Sequence, residues 1–277
     1  MFAENGEKVF MHVYWFQDSK IGHLNQVQAL LDELSKENEL AITKIQCPER
    51  SILNWLKSFL SSAPIENKKD GVTLLIGAGH STYPQILKTQ QTLKKTANLL
   101  SVAILKPSFN ANAFDLVCAP EHDYPSTKKP NNVHAFKGSL ATTSLIEPTP
   151  NKGIIGLGGL SKHYDFDSEL VGKQIEYVLT THPQHHFHIY NSRRTPSALT
   201  QAIKDMTEEF QNFTFMDIES HEAKSFQEDL QTSELKFVTP DSSNLVFEAL
   251  SCKGKTYVMQ IERRVRSQKT GSTKIRN

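Results

Sequence analysis

The sequence predicts an α/β protein of two halves, each a parallel sheet covered by helices, facing one another across a central cleft. Three observations carry that expectation. Short apolar runs that end in Gly, Asp or Ser clusters recur as VFMHVYWF, TLLIGAG, LLSVAIL, FDLVCAP, GIIGLGG, HFHIYNS and ELKFVTP, and such continuous runs read as strands buried on both faces. Helical periodicity alternates with them at 25–36, 51–62, 83–95, 167–181 and 196–211, the strand–helix order of a parallel sheet. A stretch of prolines and small polar residues, GSLATTSLIEPTPNKG from Gly138 to Gly153, interrupts the pattern before a fresh strand. The halves are therefore expected at 1–148 and 149–277. Ligands of such sheets bind outside the carboxyl ends of the strands, so the polar clusters there are the candidate sites.

The first strand runs into QDSKIGHLNQ, where Gly22 permits a tight turn and His23, Asn25 and Gln26 open a helix whose free N–H groups could receive an anion or a hydroxyl. The next cluster, IGAGHSTYP, places Gly79 and His80 before a helix that Ser81 or Thr82 could cap. CAPEHDYP follows a buried strand directly with Glu121, His122 and Asp123, and this group ranks first as a source of a general base, with His23 as the alternative. Each of these also reads as an ordinary capped turn or solvated loop.

In the second half, LGGLSKHYDFD sets Gly158, Gly159, Ser161 and Lys162 after a strand, a loop that backbone N–H groups could wrap around a phosphate. Its spacing is neither a Walker A nor a dinucleotide fingerprint. YNSRRTP places Arg193 and Arg194 before a helix-starting proline, and an arginine fork suits a diphosphate. Adjacent arginines usually divide into one functional and one solvated. VTPDSSNLVFEAL then offers Asp241 or Ser242 as helix cap, with Ser243 and Asn244 at the first free N–H groups. Glu248 stands two helical turns after Asp241 on the same face and could accept hydrogen bonds from a ribose diol.

Composition narrows the partners. With 277 residues, 31 Lys or Arg and 30 Asp or Glu, the net charge of +1 gives no global field for nucleic acid, and no nucleic-acid partner is expected. Cys47, Cys118 and Cys252 are odd in number and far apart, which fits reduced thiols in the cytoplasm. No apolar run approaches the roughly 20 residues of a membrane span, and MFAENGEK lacks the pattern of a signal peptide. Two local features could touch a membrane from outside. One is the apolar stripe of Ile52, Trp55, Leu56, Phe59 and Leu60, which also reads as core packing; the other is the basic tail, Arg263, Arg264, Arg266, Lys269, Lys274 and Arg276, which also reads as a solvated end.

Taken together, GHLNQ, PEHD, GGLSKHY, SRRTP and TPDSSNLVFEA resemble, in order and position, the elongated-mitochondria family associated with mitochondrial fission in plants and widespread in bacteria. The resemblance runs from about Val9 to Ile261. It implies a GT-B glycosyltransferase-like fold of two Rossmann-like halves, similar to enzymes that add N-acetylglucosamine to lipid-linked cell-wall precursors. In that wider group the C-terminal half binds the nucleotide sugar and a helix glutamate contacts the ribose, a position matched here by Glu248. Two departures are visible: SSN stands where Ser-x-Ser-Met is more usual, and after the strand matching TYVMQIE the C-terminus is short or diverged.

The expected function is transfer of a sugar from a nucleoside diphosphate sugar to an acceptor left open, a lipid-linked one included. A peripheral contact at the inner face of a membrane would then follow. No cofactor and no metal are expected, since no clear Asp-x-Asp metal motif is present and helix N-termini with arginine could meet the charge of the leaving diphosphate. The alternatives are a non-catalytic interaction protein of the same fold at a membrane surface, and a sugar-nucleotide epimerase.

Overall fold

The computed structural model describes residues 8–48, 65, 71–93, 98–124, 129–219 and 223–264. The expected helix at 51–62, with its apolar stripe, and the tail beyond Arg264 lie outside the described residues. The chain divides into two compact units, Met1–Thr142 and Thr143–Asn277.

In the first unit the order is β1 (Val9–Gln17), α1 (Ile21–Glu37), β2 (Asn38–Gln46), β3 (Val72–Ala78), α2 (Tyr83–Leu93), β4 (Leu99–Ile104), β5 (Leu116–Pro120) and β6 (Val133–Phe136). All six strands pair in parallel, in the order β2-β1-β3-β4-β5-β6. Successive residues of a strand face opposite sides, and the core divides accordingly. Val13 and Trp15 join Leu74 and Ile76 beneath Val27 and Leu31 of α1, whereas Tyr14 and Phe16 join Leu75 beneath Tyr83 and Ile86 of α2. The helices after β1 and β3 therefore cover opposite faces. Their connections part company where these two strands end, which makes a crevice at the carboxyl edge of the sheet.

The second unit repeats the plan with β7 (Thr149–Gly156), β8 (Tyr164–Asp165), α3 (Ser168–Thr181), β9 (His186–Tyr190), α4 (Ser197–Asp205), β10 (Phe213–Met216), α5 (Ala223–Thr232), β11 (Ser233–Val238), α6 (Ser243–Leu250), β12 (Lys255–Val258) and β13 (Glu262–Arg263). Five strands form a parallel sheet in the order β10-β9-β7-β11-β12, and β8 pairs antiparallel with β13. Ile155, Phe187, Ile189 and Phe237 pack under α3 and α4, while Ile154, Tyr190 and Val238 pack under α5 and α6. The faces switch between β7 and β11. Asp167 caps α3 by accepting from the N–H groups of Glu169 and Leu170, at 2.9 and 3.2 Å.

The seven apolar runs of the sequence are the inner strands, β1, β3, β4 and β5 of one sheet and β7, β9 and β11 of the other. Apolar patterning alone did not show β2, β6, β10 and β12, which are the four sheet edges. Helix α1 covers the expected 25–36 segment and opens earlier, at Ile21, and α2 covers the expected 83–95 segment as far as Leu93, the last described residue there. The expected 196–211 helix ends at Asp205 and continues as a single 3-10 turn, and α5 has no counterpart among the expected helices. The three cysteines are free and buried. Among the described residues no helix is long and apolar enough to cross a membrane.

One buried polar cluster fixes α5 to its sheet. Asp229 accepts from Tyr190 Oη at 2.6 Å, pairs with His188 Nδ1 at 2.5 Å and meets Lys152 Nζ at 2.7 Å. Burial pushes its carboxyl up, but the hydrogen bonds from His188, Lys152 and Tyr190 outweigh burial and hold it well below the ordinary 3.8. A depressed carboxylate contributes stability above its unfolded pKa and loses it as pH falls through the folded one. Wild type should thus lose stability in acid below about pH 4, whereas Asp229→Asn should flatten that acid limb. Asp229→Ala, which strips the partner from Lys152 and His188, should cost about 3 kcal/mol near neutrality; denaturant unfolding across pH measures both.

Candidate functional site

The crevice of the first unit holds a cavity of about 400 Å³ lined by the loops after β1, β2, β3 and β4, among them Asp18, Lys20, His23, Gly79, His80 and Lys106. Asp18 follows β1 directly, and its carboxylate is 8 % exposed. Its Oδ2 takes His23 Nδ1 at 2.7 Å and Ser81 Oγ at 3.2 Å, while Oδ1 accepts from the Lys20 N–H at 3.1 Å. Burial raises the carboxyl pKa, yet these hydrogen bonds and the neighbouring imidazole outweigh it, so Asp18 lies below the ordinary carboxylate range. It is an anion at neutral pH. With Nδ1 held, His23 Nε2 has no hydrogen-bond partner among the described residues, and His23 lines the cavity. A carboxylate that fixes one imidazole nitrogen and leaves the other open is the arrangement of a general base.

Gly79 is shaped to this pair. Its φ is +86°, and a Cβ there would stand 2.4 Å from His23 Cε1 and 2.5 Å from Nδ1, so no other residue fits without displacing the ring. Tyr83 fixes the same corner: its buried hydroxyl donates to the carbonyls of Ile104 and Leu105 at 2.6 and 3.0 Å and accepts from the Gly79 N–H at 3.1 Å. Burial holds that phenol above its ordinary range. Burial and the Asp18 charge push the Cys47 thiol up to about 12, so this lining cysteine is protonated and inert.

The other sequence candidates of this unit sit nearby with looser geometry. His122 Nε2 and Asp123 Oδ1 stand 3.6 Å apart, too far for a hydrogen bond, and the Asp123 carbonyl accepts from Lys106 Nζ at 2.6 Å. Gly22 lies in the first turn of α1, where its carbonyl accepts from buried Gln26 at 3.2 Å, and Asn25 is half-buried one residue before. The residue the sequence reading passed over is Asp18. Its signal was there: QDSKIGH places an acid at the strand end and a histidine five residues on, inside the first helical turn.

At the switch point of the second unit a single buried carboxylate gathers three loops. Asp241 Oδ2 accepts from the Gly159 N–H at 2.9 Å and pairs with Arg194 Nη2 at 2.9 Å, with its side chain fully buried. A Cβ on Gly158 would overlap that carboxylate at 2.2 Å, and one on Gly159 would overlap the Arg194 carbonyl at 1.9 Å. Arg194 also donates to the Leu160 carbonyl at 3.1 Å, so its fork is committed to the protein. Arg193 is exposed and has no polar contact among the described residues. The helix cap is Ser242, whose Oγ accepts from Leu245 N–H at 3.5 Å; Asp241 serves the loops instead. Ser243 and Asn244 open α6. Ser161 accepts from the N–H groups of His163 and Tyr164, Lys162 is exposed, and Glu248 is half-buried in the last turn of α6 with Gln227 Nε2 at 3.5 Å. Among the described residues no group of three His, Cys, Asp or Glu could hold a metal ion.

A family model described as mitochondrial fission ELM1 matches residues 21–274. The chain belongs to this family. No curated protein matches it significantly in sequence. Among solved structures, this ELM1-family chain is similar to a candidate UDP-N-acetylglucosamine 2-epimerase from Listeria monocytogenes, with TM-score 0.56 and 10 % identity over 91 % of this chain and 79 % of that one. The UDP-GlcNAc 2-epimerase from Methanocaldococcus jannaschii also has TM-score 0.56, at 9 % identity over 95 % and 86 % of the two chains. A further UDP-N-acetylglucosamine 2-epimerase gives 0.52 at 14 % identity over 92 % and 80 %. At such identities the likeness concerns the fold, and the fold is GT-B-like, with two Rossmann-like halves.

The two arginines of this family member should separate cleanly. Arg194→Ala leaves buried Asp241 without its cation and should lower stability by about 3 kcal/mol, whereas Arg193→Ala should change it by less than about 0.5 kcal/mol. Chemical denaturation of the two variants measures the difference.

Proposed function

We propose that this ELM1-family protein transfers a sugar from a nucleoside diphosphate sugar to an acceptor hydroxyl, with His23 as general base and Asp18 as the residue that orients it. The observation that carries this reading is the pairing of buried Asp18 with His23 on the wall of a cavity at the sheet's switch point. His23 Nε2 takes the acceptor proton as its oxygen attacks the anomeric carbon. The bond from that carbon to the diphosphate breaks, and the electron pair leaves with the diphosphate. Asp18 stabilises the imidazolium that forms.

The donor falls to the second unit in this reading. Gly158, Gly159, Ser161 and Lys162 approach the diphosphate through one loop, Arg193 supplies a free cation, and the start of α6 at Ser243 and Asn244 adds N–H groups. Glu248 takes the ribose diol. The names of the like-folded epimerases make UDP-N-acetylglucosamine the first donor to try. A cavity histidine oriented by a buried carboxylate favours catalysis over a purely recruiting role. A lipid-linked acceptor, reached from the cytoplasmic side of a membrane, belongs to the same proposal.

With UDP-N-acetylglucosamine or the best donor of a nucleotide-sugar panel, His23→Gln should cut donor turnover by about 10²- to 10⁴-fold. The dissociation constant for UDP, read by calorimetry, should stay within about twofold, because the substitution lies outside the donor loops. Undiminished turnover in His23→Gln removes the base, and absence of binding by any nucleotide or its sugar removes the donor.

A further inference from the structure

The cavity beside Asp18 and His23 carries a charge pattern that a neutral acceptor would not call for. Lys20 and Lys106 both line it, both are exposed, and neither pairs with a carboxylate among the described residues. Lys106 Nζ donates to a backbone carbonyl, that of Asp123 at 2.6 Å, and lies 4.8 Å from the centre of the Tyr124 ring, so neither of these partners is a carboxylate. Lys20 precedes α1, whose first turn contains no acid and receives no side-chain cap. Among the described residues the sole carboxylate in the lining is Asp18, and its oxygens are occupied by His23, Ser81 and the Lys20 N–H. The remaining polar lining among the described residues adds Ser19, Gln46, His80 and Tyr83, none of them a carboxylate. A cavity of about 400 Å³ is of the size that admits a small phosphorylated group.

We propose that the acceptor is a phosphate-bearing alcohol, its phosphate or diphosphate held by Lys20 and Lys106 and its hydroxyl presented to His23 Nε2. The word acceptor rests on the transferase reading; the anion site does not. Both lysines share the cavity lining with His23, so an anion held by them would lie in the same cavity as the base, and the charges that recruit the substrate would also help to orient its reacting oxygen. The phosphate can belong to a soluble phosphoester or to a lipid headgroup, and the chemistry at the lysines is the same.

Inorganic pyrophosphate is the probe. In the full chain, the His23 ring resonance, assigned by its loss in His23→Gln, should shift and saturate as pyrophosphate is added. The Lys20→Met, Lys106→Met double variant should weaken that response about tenfold or more, since each charged contact is lost, while UDP affinity stays unchanged. No shift at His23, or an equal response in the double variant, overturns the proposal. Loss of UDP binding in wild type with the His23 response intact would instead sink the donor reading and leave the anion site standing. Sedimentation with phosphatidylcholine vesicles, with and without phosphatidic acid, separates the sources: retention on the anionic vesicles that pyrophosphate competes away indicates a lipid-borne phosphate, and a His23 response with no retention indicates a soluble one.

Discussion

Both large sheets run wholly parallel, and that constraint arranges everything else. Parallel strands need long crossovers, the crossovers are helices, and the helices bury both faces, so polar groups open to a ligand gather chiefly at the edges where strands end. In each unit the helices switch faces at one pair of neighbouring strands, β1 with β3 and β7 with β11. The loops leaving those four strands carry the side chains on which the proposed chemistry turns.

The two switch points share a device. At each, an aspartate placed just after a strand is drawn out of water and binds the loop of the neighbouring strand, Asp18 to Ser81 and Asp241 to Gly159. At each, a glycine gives the room: Gly79 against His23, and Gly158 against Asp241. Losing a partner of a buried carboxylate is costly, so each aspartate holds in place the loops that bond it. The difference lies in the cation. Asp241 is paired with Arg194, which is permanently charged and tied to the Leu160 carbonyl, making a latch. Asp18 is paired with His23, which can take and give a proton, making a base. The same architectural slot thus serves rigidity in one unit and, in the proposed mechanism, proton transfer in the other.

Much of this was legible in the sequence, and the boundary of legibility has a physical cause. Inner strands such as TLLIGAG and GIIGLGG are buried on both faces and read as continuous apolar runs, whereas the edge strand NELAITKIQ is largely exposed and mixes Lys and Thr with Ile. Loops rich in Gly, His and Arg marked the strand ends. Which side chain in each loop acts was not legible, because that depends on contacts across the sheet. Arg193 and Arg194 are neighbours in sequence, yet only Arg194 reaches an aspartate forty-seven positions away, at 2.9 Å. His23 was visible as a candidate; Asp18 was not, since an acid after a strand is usually solvated and its burial follows from Ser81, contributed by the next strand along the sheet.

The central claim is that Asp18 sets His23 as a base with Nε2 open to the cavity. Nitrogen-15 correlation spectroscopy of the His23 ring reports which nitrogen carries the proton when the imidazole is neutral. The account predicts Nδ1, with the preference lost in Asp18→Asn. A neutral ring protonated on Nε2, or a tautomer indifferent to Asp18→Asn, would contradict it.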